Sequence, residues 1–424
     1  MKNNLVEHKF SDIYEMGSGI STKPEQAGHG FPFISFSTIF NNPVLPDEIS
    51  DLMDTSEKER VIYSVKKGDV LLTRTSETID ELAMSSVAIK DYPNATFSGF
   101  AKRLRPIKEG VVYPQFMAYF LRSDYFRKII NCKSIMTLRA SFNEEIFSYI
   151  KAMMPSYSEQ IKIGDLCFLI EKKIRNNNKI NAELESMAKT LYDYWFLQFE
   201  FPNEEGKPYK SSGGKMVWNE ELKREIPEGW TIRTVLDCSN VVSGYPFKTE
   251  TYSNEGRYNI YTIGNVQDGY IDDTCPNKID FIPNDIDERC VLKPCDIIMS
   301  LTGNVGRVGI VYTKNALLNQ RVLKVIPFDG YHNFLYLLFR NSSFMNVMQR
   351  IASGTSQKNL SPNQVCDFTF AVPNKNLLDL FNLKLNGFID AIVNNLSQNQ
   401  ELTSLRDFLL PLLMNGQVTF KEES

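Results

Sequence analysis

Two hydrophobic patterns run along the chain, and each occurs twice. Short apolar or alternating runs bounded by turn residues predict strands at 33–36, 70–73 and 86–89, and again at 260–263, 297–301 and 308–311. Each set is followed by a stretch with helical apolar spacing, 114–122 and 333–340. A polar loop then feeds one more alternating strand that stops at a proline, in "SIMTLRASFNEEIFSYIKAMMP" ending at Pro155 and in "ASGTSQKNLSPNQVCDFTFAVP" ending at Pro373. The two prolines are 373 − 155 = 218 residues apart.

After each proline the period changes. Ile163, Ile170, Asn177, Leu184 and Leu191 fall seven apart, as do Leu166, Lys173, Ile180, Met187 and Tyr194. The second half repeats this with Phe381, Phe388, Asn395, Leu402 and Leu409, and with Lys384, Ala391, Gln398, Leu405 and Leu412. A heptad sustained this long is the signature of a coiled-coil seam, and some 40 helical residues make a rod of roughly 60 Å. Asn177 and Asn395 hold equivalent places in the seams. A buried asparagine there costs stability but sets register, and in an antiparallel pair the two are expected to lie near one another.

The offset extends over the whole chain with small drifts in loop length. "KKGDVLLTRTSE" lies over "LKPCDIIMSLTG", with Asp69 on Asp296, and "DIYEMGSG" (12–19) lies over "DCSNVVSG" (237–244). A period this long means duplicated domains rather than a solenoid. The fold class expected is α+β: two similar mixed α/β globular domains separated by two long helices paired as a coiled coil with internal pseudo-two-fold symmetry, the antiparallel sense of the pair being what the family resemblance given below implies. The expected boundaries are 1–155 for the first globular domain, 156–199 for the first helix, 200–228 for a linker, 229–373 for the second globular domain and 374–417 for the second helix. The linker is rich in Gly, Pro, Ser and charge, and Trp218 and Trp230 are expected to tack it down.

Composition excludes several classes. The 42% hydrophobic and 23% charged content is that of a globular protein. No apolar run is long enough for a membrane helix, and "MKNNLVEHKF" lacks a signal-peptide core, so a cytoplasmic protein is expected. Seven scattered cysteines and three separated histidines argue against a disulfide framework, a zinc site or a histidine-based triad. There is no phosphate-binding G-x-x-x-x-G-K-[ST] loop and no Asn/Asp-Pro-Pro-aromatic tetrapeptide. The net charge of −4 hides a pattern, because 91–140 holds nine Lys/Arg against three acids and 301–360 holds seven against Asp329 alone. Two basic segments at matching places suit a phosphate-binding surface; a solvated basic face is the plainer alternative.

The repeated domain–helix arrangement, "GDVLLTRT" with "CDIIMSLTGNVGRVGIV", the loop "SGTSQKNLS", and the linker "GKPYKSSGGKMVWNEELKREIPEGW" together resemble the specificity (S) subunit of Type I restriction–modification systems, a host-defence family. The resemblance covers essentially the whole chain. The first half departs from it, with Arg139-Ala140-Ser141 where the second has Gln357-Lys358-Asn359. The resemblance implies a non-catalytic DNA reader. Each globular half would be a target recognition domain for one half of a bipartite, asymmetric site on double-stranded DNA. The helices would space the readers and dock two methyltransferase subunits, with motor–nuclease subunits joining in the full complex. S-adenosylmethionine, ATP and magnesium would belong to those partners, leaving no cofactor in this chain.

Reading DNA divides into cationic contacts to phosphate, which position, and polar contacts to base edges, which specify. The candidates with that vocabulary are Arg74, Lys102, Arg103, Arg105 and Arg139 in the first half, with Thr137 and Ser141 weaker. In the second half they are Asn304, Arg307, Asn319, Gln320, Arg321, Gln357 and Lys358. A pair of duplicated catalytic domains would require clustered acids, bases or ligands in corresponding loops. A coiled-coil scaffold with two protein-binding domains is the other alternative, and the duplicated basic segments count against it.

Overall fold

A computed structural model describes residues 5–418 and 420, apart from 77, 79, 80, 134–139, 275, 355 and 356. The chain divides into two compact units, Met1–Ile174 with Glu401–Ser424, and Arg175–Gln400. The two long helices, Tyr157–Tyr192 and Lys375–Met414, are therefore each shared between the units rather than forming bodies of their own.

The first unit is built on a four-stranded antiparallel sheet in the order Tyr14–Ser18, Ala101–Pro106, Val70–Thr73, Ser85–Val87. Every residue of Val70–Thr73 is buried, which is why this strand reads as a continuous apolar run rather than an alternation. A smaller sheet joins Leu52–Met53, Ala27–Ile34 and Thr96–Phe97. The strands Val6–Lys9 and Lys151–Met154 pair antiparallel, so the two ends of the domain meet just before Pro155. The core is aromatic: Phe10, Phe116, Phe120, Phe126 and Phe142 pack with Leu72 and Leu104. Ile163 and Cys167 of the first long helix and Leu413 and Met414 of the second close it.

The second unit repeats the plan. Its sheet runs Ser239–Ser243, Val322–Pro327, Ile297–Ser300, Val308–Ile310, with Gly269–Tyr270 added parallel at the edge. Thr231–Thr234 and Thr369–Val372 close the domain just before Pro373. The linker is ordered as the hairpin Met216–Asn219 with Arg224–Pro227. Trp230 packs against Phe199 and Phe201 with ring centroids at 5.3 and 5.5 Å. Trp218 does not share that role: it is 58% exposed, and its indole N–H donates to Glu220. Met216 and Val217 of the same strand pack on the core in its place.

Both long helices begin the same way. Proline ends the strand, and the next residue caps: Ser156 Oγ accepts from the Glu159 N–H, and Asn374 Oδ1 from the Leu377 N–H. Each cap is worth about 1 kcal/mol. In the second unit, the segment around Asn177–Asn181 lies antiparallel to that around Asn395–Asn399. In the first unit Arg406 pairs with Glu171 at 3.1 Å, continuing the same sense.

The seam differs from the expected one by one residue. Ile163, Ile170 and Asn177 are buried as anticipated, but their partners are Cys167, Asn181 and Ala188. Ile180, Met187 and Tyr194 point outward at 48, 53 and 38% exposure, and Lys173 is exposed as well. The second helix shifts identically: Leu385 and Ile392 are buried, while Lys384, Gln398 and Leu405 are exposed. A heptad read from one seam position leaves two helix faces for the other, three residues on or four, and both helices use four.

Asn177 and Asn395 join one polar layer, though each bonds to the residue one turn beyond its counterpart. Asn177 Nδ2 donates to Asn399 Oδ1 at 2.8 Å and to Gln398 Oε1 at 2.9 Å. Asn395 Nδ2 donates to Asn181 Oδ1 at 2.9 Å.

Candidate nucleic-acid interface

At one edge of the second unit's main sheet, two strands end where a third begins: Ser243 pairs with Leu323, and Ser300 with Val322. Four segments converge there. Tyr245 N–H donates to Leu318 O, and Gln320 N–H donates back to Tyr245 O. Leu301 N–H donates to Arg321 O, and Leu360 N–H to Leu301 O. Gly303 N–H donates to Lys358 O, and the Thr302 hydroxyl to Asn359 Oδ1 at 2.9 Å, which fastens the polar loop to the strand end. A side chain at Gly244 would place Cβ 2.1 Å from Asn319 O, so only glycine lets these backbones approach.

The first unit carries the same scaffold bond for bond. Ile20 N–H donates to Phe97 O, and Gly99 N–H to Ile20 O. Arg74 N–H donates to Phe100 O, and Phe142 N–H to Arg74 O. A Cβ at Gly19 would meet Ser98 O at the same 2.1 Å. The turn Ser98-Gly99-Phe100 is therefore the counterpart of Asn319-Gln320-Arg321, and Arg74 that of Leu301. The backbone was kept after duplication, while the displayed side chains were replaced.

Most second-half candidates come together on this edge. Asn304, Gln320, Arg321, Gln357 and Lys358 are exposed, and Asn319 and Arg307 half-buried. Arg307 donates to Gln267 at 3.0 Å, and Lys358 Nζ to Gln349 O at 2.8 Å, so both are partly engaged. In the first unit Arg74 is exposed beside the turn. Arg139 and Thr137 lie outside the described residues.

Three first-half candidates are engaged inside the unit. Lys102, Arg103 and Arg105 lie along an inner strand, Lys102 at the strand end where it pairs with Ser18. Lys102 is 9% exposed and donates to Ser18 Oγ at 2.8 Å. Arg105 grips the fully buried Asp69 with Nε and a terminal nitrogen at 2.7 and 2.6 Å, and these bonds hold its pKa up. Arg103 donates to Ser64 O, and burial, then the Arg105 charge, lower its pKa.

The second unit builds the matching lock with Lys324 on Asp296 at 2.6 Å. Arg122 is spent on the carbonyls of Ile39, Phe40 and Ser85, and Arg340 on Glu185 and Asp268. Much of the basic excess counted along the sequence is thus consumed inside each unit. Sequence reasoning missed Tyr245, Thr302, Asn359 and Phe100 as parts of this edge. The doubled "GSG" and "VSG" segments were the available signal for its scaffold.

Among the described residues there is no group of three or more His, Cys, Asp or Glu arranged to hold a metal. No described helix is long and apolar enough to cross a membrane.

Known proteins are similar to this chain. The chain is 28% identical to the Type I restriction enzyme MjaIX specificity subunit of Methanocaldococcus jannaschii, over 98% of this chain and 93% of that one. It is 22% identical to the HindI specificity subunit of Haemophilus influenzae, over 91% and 94%. The crystal structure of a Type-I restriction-modification S subunit from M. genitalium has the same fold, with TM-score 0.61 at 14% identity over 97% of this chain and 96% of that one. The family described as the Type I restriction modification DNA specificity domain matches twice, at residues 4–186 and 227–377. With both halves of its duplication matched, the chain belongs to that family of DNA specificity subunits.

Proposed function

We propose that each globular half reads one half of a bipartite, asymmetric site on double-stranded DNA through the sheet edge described above. The observation that carries this is the pair of identical edge scaffolds bearing different side chains, Asn319-Gln320-Arg321 in one and Ser98-Gly99-Phe100 in the other. Two copies of one reader with altered contact residues suit two unlike half-sites. In the second half Arg321 has the fork that matches O6 and N7 of guanine, and Asn319 and Gln320 the amides that match adenine. Lys358 and Arg307 supply charge for phosphates.

The long helices space the two readers and dock two methyltransferase subunits, and motor–nuclease subunits complete the restriction complex. S-adenosylmethionine, ATP and magnesium act in those partners, and this chain contributes recognition without catalysis. Family membership and the long shared helices support this division of labour.

Methylation-sensitive sequencing of DNA from cells with and without this chain tests the reading. A bipartite motif modified only when the chain is present is the expected result; an unchanged methylome, with the methyltransferase expressed, would overturn it.

A further inference from the structure

We infer that Phe100 reads a thymine methyl group in the half-site met by the first unit, so that this reader discriminates partly by apolar contact. The inference rests on the proposed DNA-reading role of the sheet edge and assigns the base chemistry that one half of it recognises.

Phe100 is 67% exposed, and it occupies the place that Arg321 holds in the second unit. Its backbone is fixed on both sides. The Phe100 N–H donates to Ser98 Oγ at 3.2 Å, and its carbonyl accepts from the Arg74 N–H at 2.8 Å. Gly99 is locked in turn, because its N–H donates to Ile20 O at 2.7 Å and a Cβ on it would lie 2.9 Å from that oxygen. The ring is therefore presented on a rigid turn, so little backbone freedom remains to be lost on binding.

A single exposed aromatic is ordinary on a protein surface. Here it stands on the edge whose counterpart displays Asn, Gln and Arg, with the exposed Arg74 beside it. Phenylalanine can neither donate nor accept a hydrogen bond. The apolar group that a base pair offers in the major groove is the C5 methyl of thymine. Phe100 thus supplies the apolar part of recognition, and Arg74 the cation to hold the adjoining backbone or a guanine.

The test uses the complex of this chain with its methyltransferase and a duplex carrying the motif found by methylation sequencing. Each thymine is replaced in turn by deoxyuridine, which lacks only the methyl. Fluorescence anisotropy should show about a fourfold loss of affinity at one thymine, in one half-site. Phe100→Ala should weaken the same half and abolish that deoxyuridine penalty, while Phe100→Leu keeps most of it. An unchanged melting temperature checks that the exposed substitution leaves the fold intact.

Two results overturn the inference: no thymine sensitive to deoxyuridine, or a penalty that persists undiminished in Phe100→Ala. If Phe100→Ala weakens binding while deoxyuridine does nothing, the ring acts as a wedge between bases and the methyl assignment is wrong. A parent complex that does not prefer the motif duplex over a scrambled one would instead bring down the DNA-reading proposal itself.

Discussion

Asn177 donates to Asn399 at 2.8 Å, and its repeat counterpart Asn395 donates to Asn181 at 2.9 Å. Adding 218 to the first residue of one pair, and subtracting 218 from the second, yields the other pair. The duplication thus wrote one hydrogen bond twice, in a form that closes on itself only when the helical segments run antiparallel. Replacing Asn177 alone by leucine leaves the half-buried Asn399 carbonyl without its donor, and should cost about 1 kcal/mol. Replacing Asn177, Asn181, Asn395 and Asn399 together should raise the melting temperature, because the partners left behind, Gln398 and Asn178, are exposed and turn to water. The same change should loosen register. Denaturation curves check the first outcome, and disulfide trapping between engineered cysteines in alternative registers checks the second.

Arg321→Ala should weaken binding to the target by about 10- to 100-fold and relax the sequence requirement in one half-site only. Lys358→Ala should weaken binding to all duplexes alike, and reduce the salt slope by about one. Anisotropy titrations of the methyltransferase-bound complex at several salt concentrations separate the two. Equal effects of both substitutions on target and scrambled DNA would remove Arg321 from base reading.

Arg105 is bound to Asp69 inside the first unit, and this has a measurable consequence. Asp69 is fully buried and accepts two bonds from Arg105, with a third from the Lys66 N–H at 2.8 Å. Arg105→Ala leaves that buried carboxylate without its counter-charge, a loss of about 2–3 kcal/mol with Arg105 itself only partly buried. The melting temperature of the first unit should drop, while affinity per folded molecule stays at the parental value. A fall in affinity with unchanged stability would return Arg105 to the interface.

These cases show what the sequence could and could not convey. The strand over 70–73 was legible to the residue, since a strand buried on both faces must be continuously apolar. The two long helices were legible from their period and their antiparallel sense from the family resemblance, yet the seam came out one residue off. Sevenfold spacing leaves undecided whether Ile180 or Asn181 turns inward, and that is settled by what packs opposite. Charge counting failed more deeply. Asp69 and Arg105 are 36 positions apart, and nothing local shows that adjacent strands bring them together. Phe100 escaped notice because a search for DNA contacts by charge and hydrogen bonding passes over an apolar ring.

Thiol chemistry gives an independent check on the packing. Burial pushes the Cys167 thiol up to about 12 and Cys238 up to about 11. A raised value means fewer thiolates at any pH below it, so both should resist alkylation at pH 8. Cys132 is exposed and should react first among the described cysteines. Mass spectrometry of native protein treated briefly with iodoacetamide gives the order. Early labelling of Cys167 would mean that the first helix does not sit on its core.

The proposed spacing role makes the sharpest demand on geometry. Facing residues along the pair sum to nearly the same number, as with Asn177 and Asn399 or Glu171 and Arg406. Deleting 170–176 together with 400–406 therefore removes one heptad from each helix, keeps the remaining seam in register, and takes out Glu171 and Arg406 as a pair. Seven residues shorten a helix by about 10 Å, close to three base pairs at about 3.4 Å each. The variant should retain both half-site sequences but accept a gap shorter by about three base pairs, or lose binding where the altered helical phase turns one half-site away. Methylation sequencing of cells expressing the variant reads out both. Retention of the parental motif with its parental gap would mean that something other than these helices sets the distance.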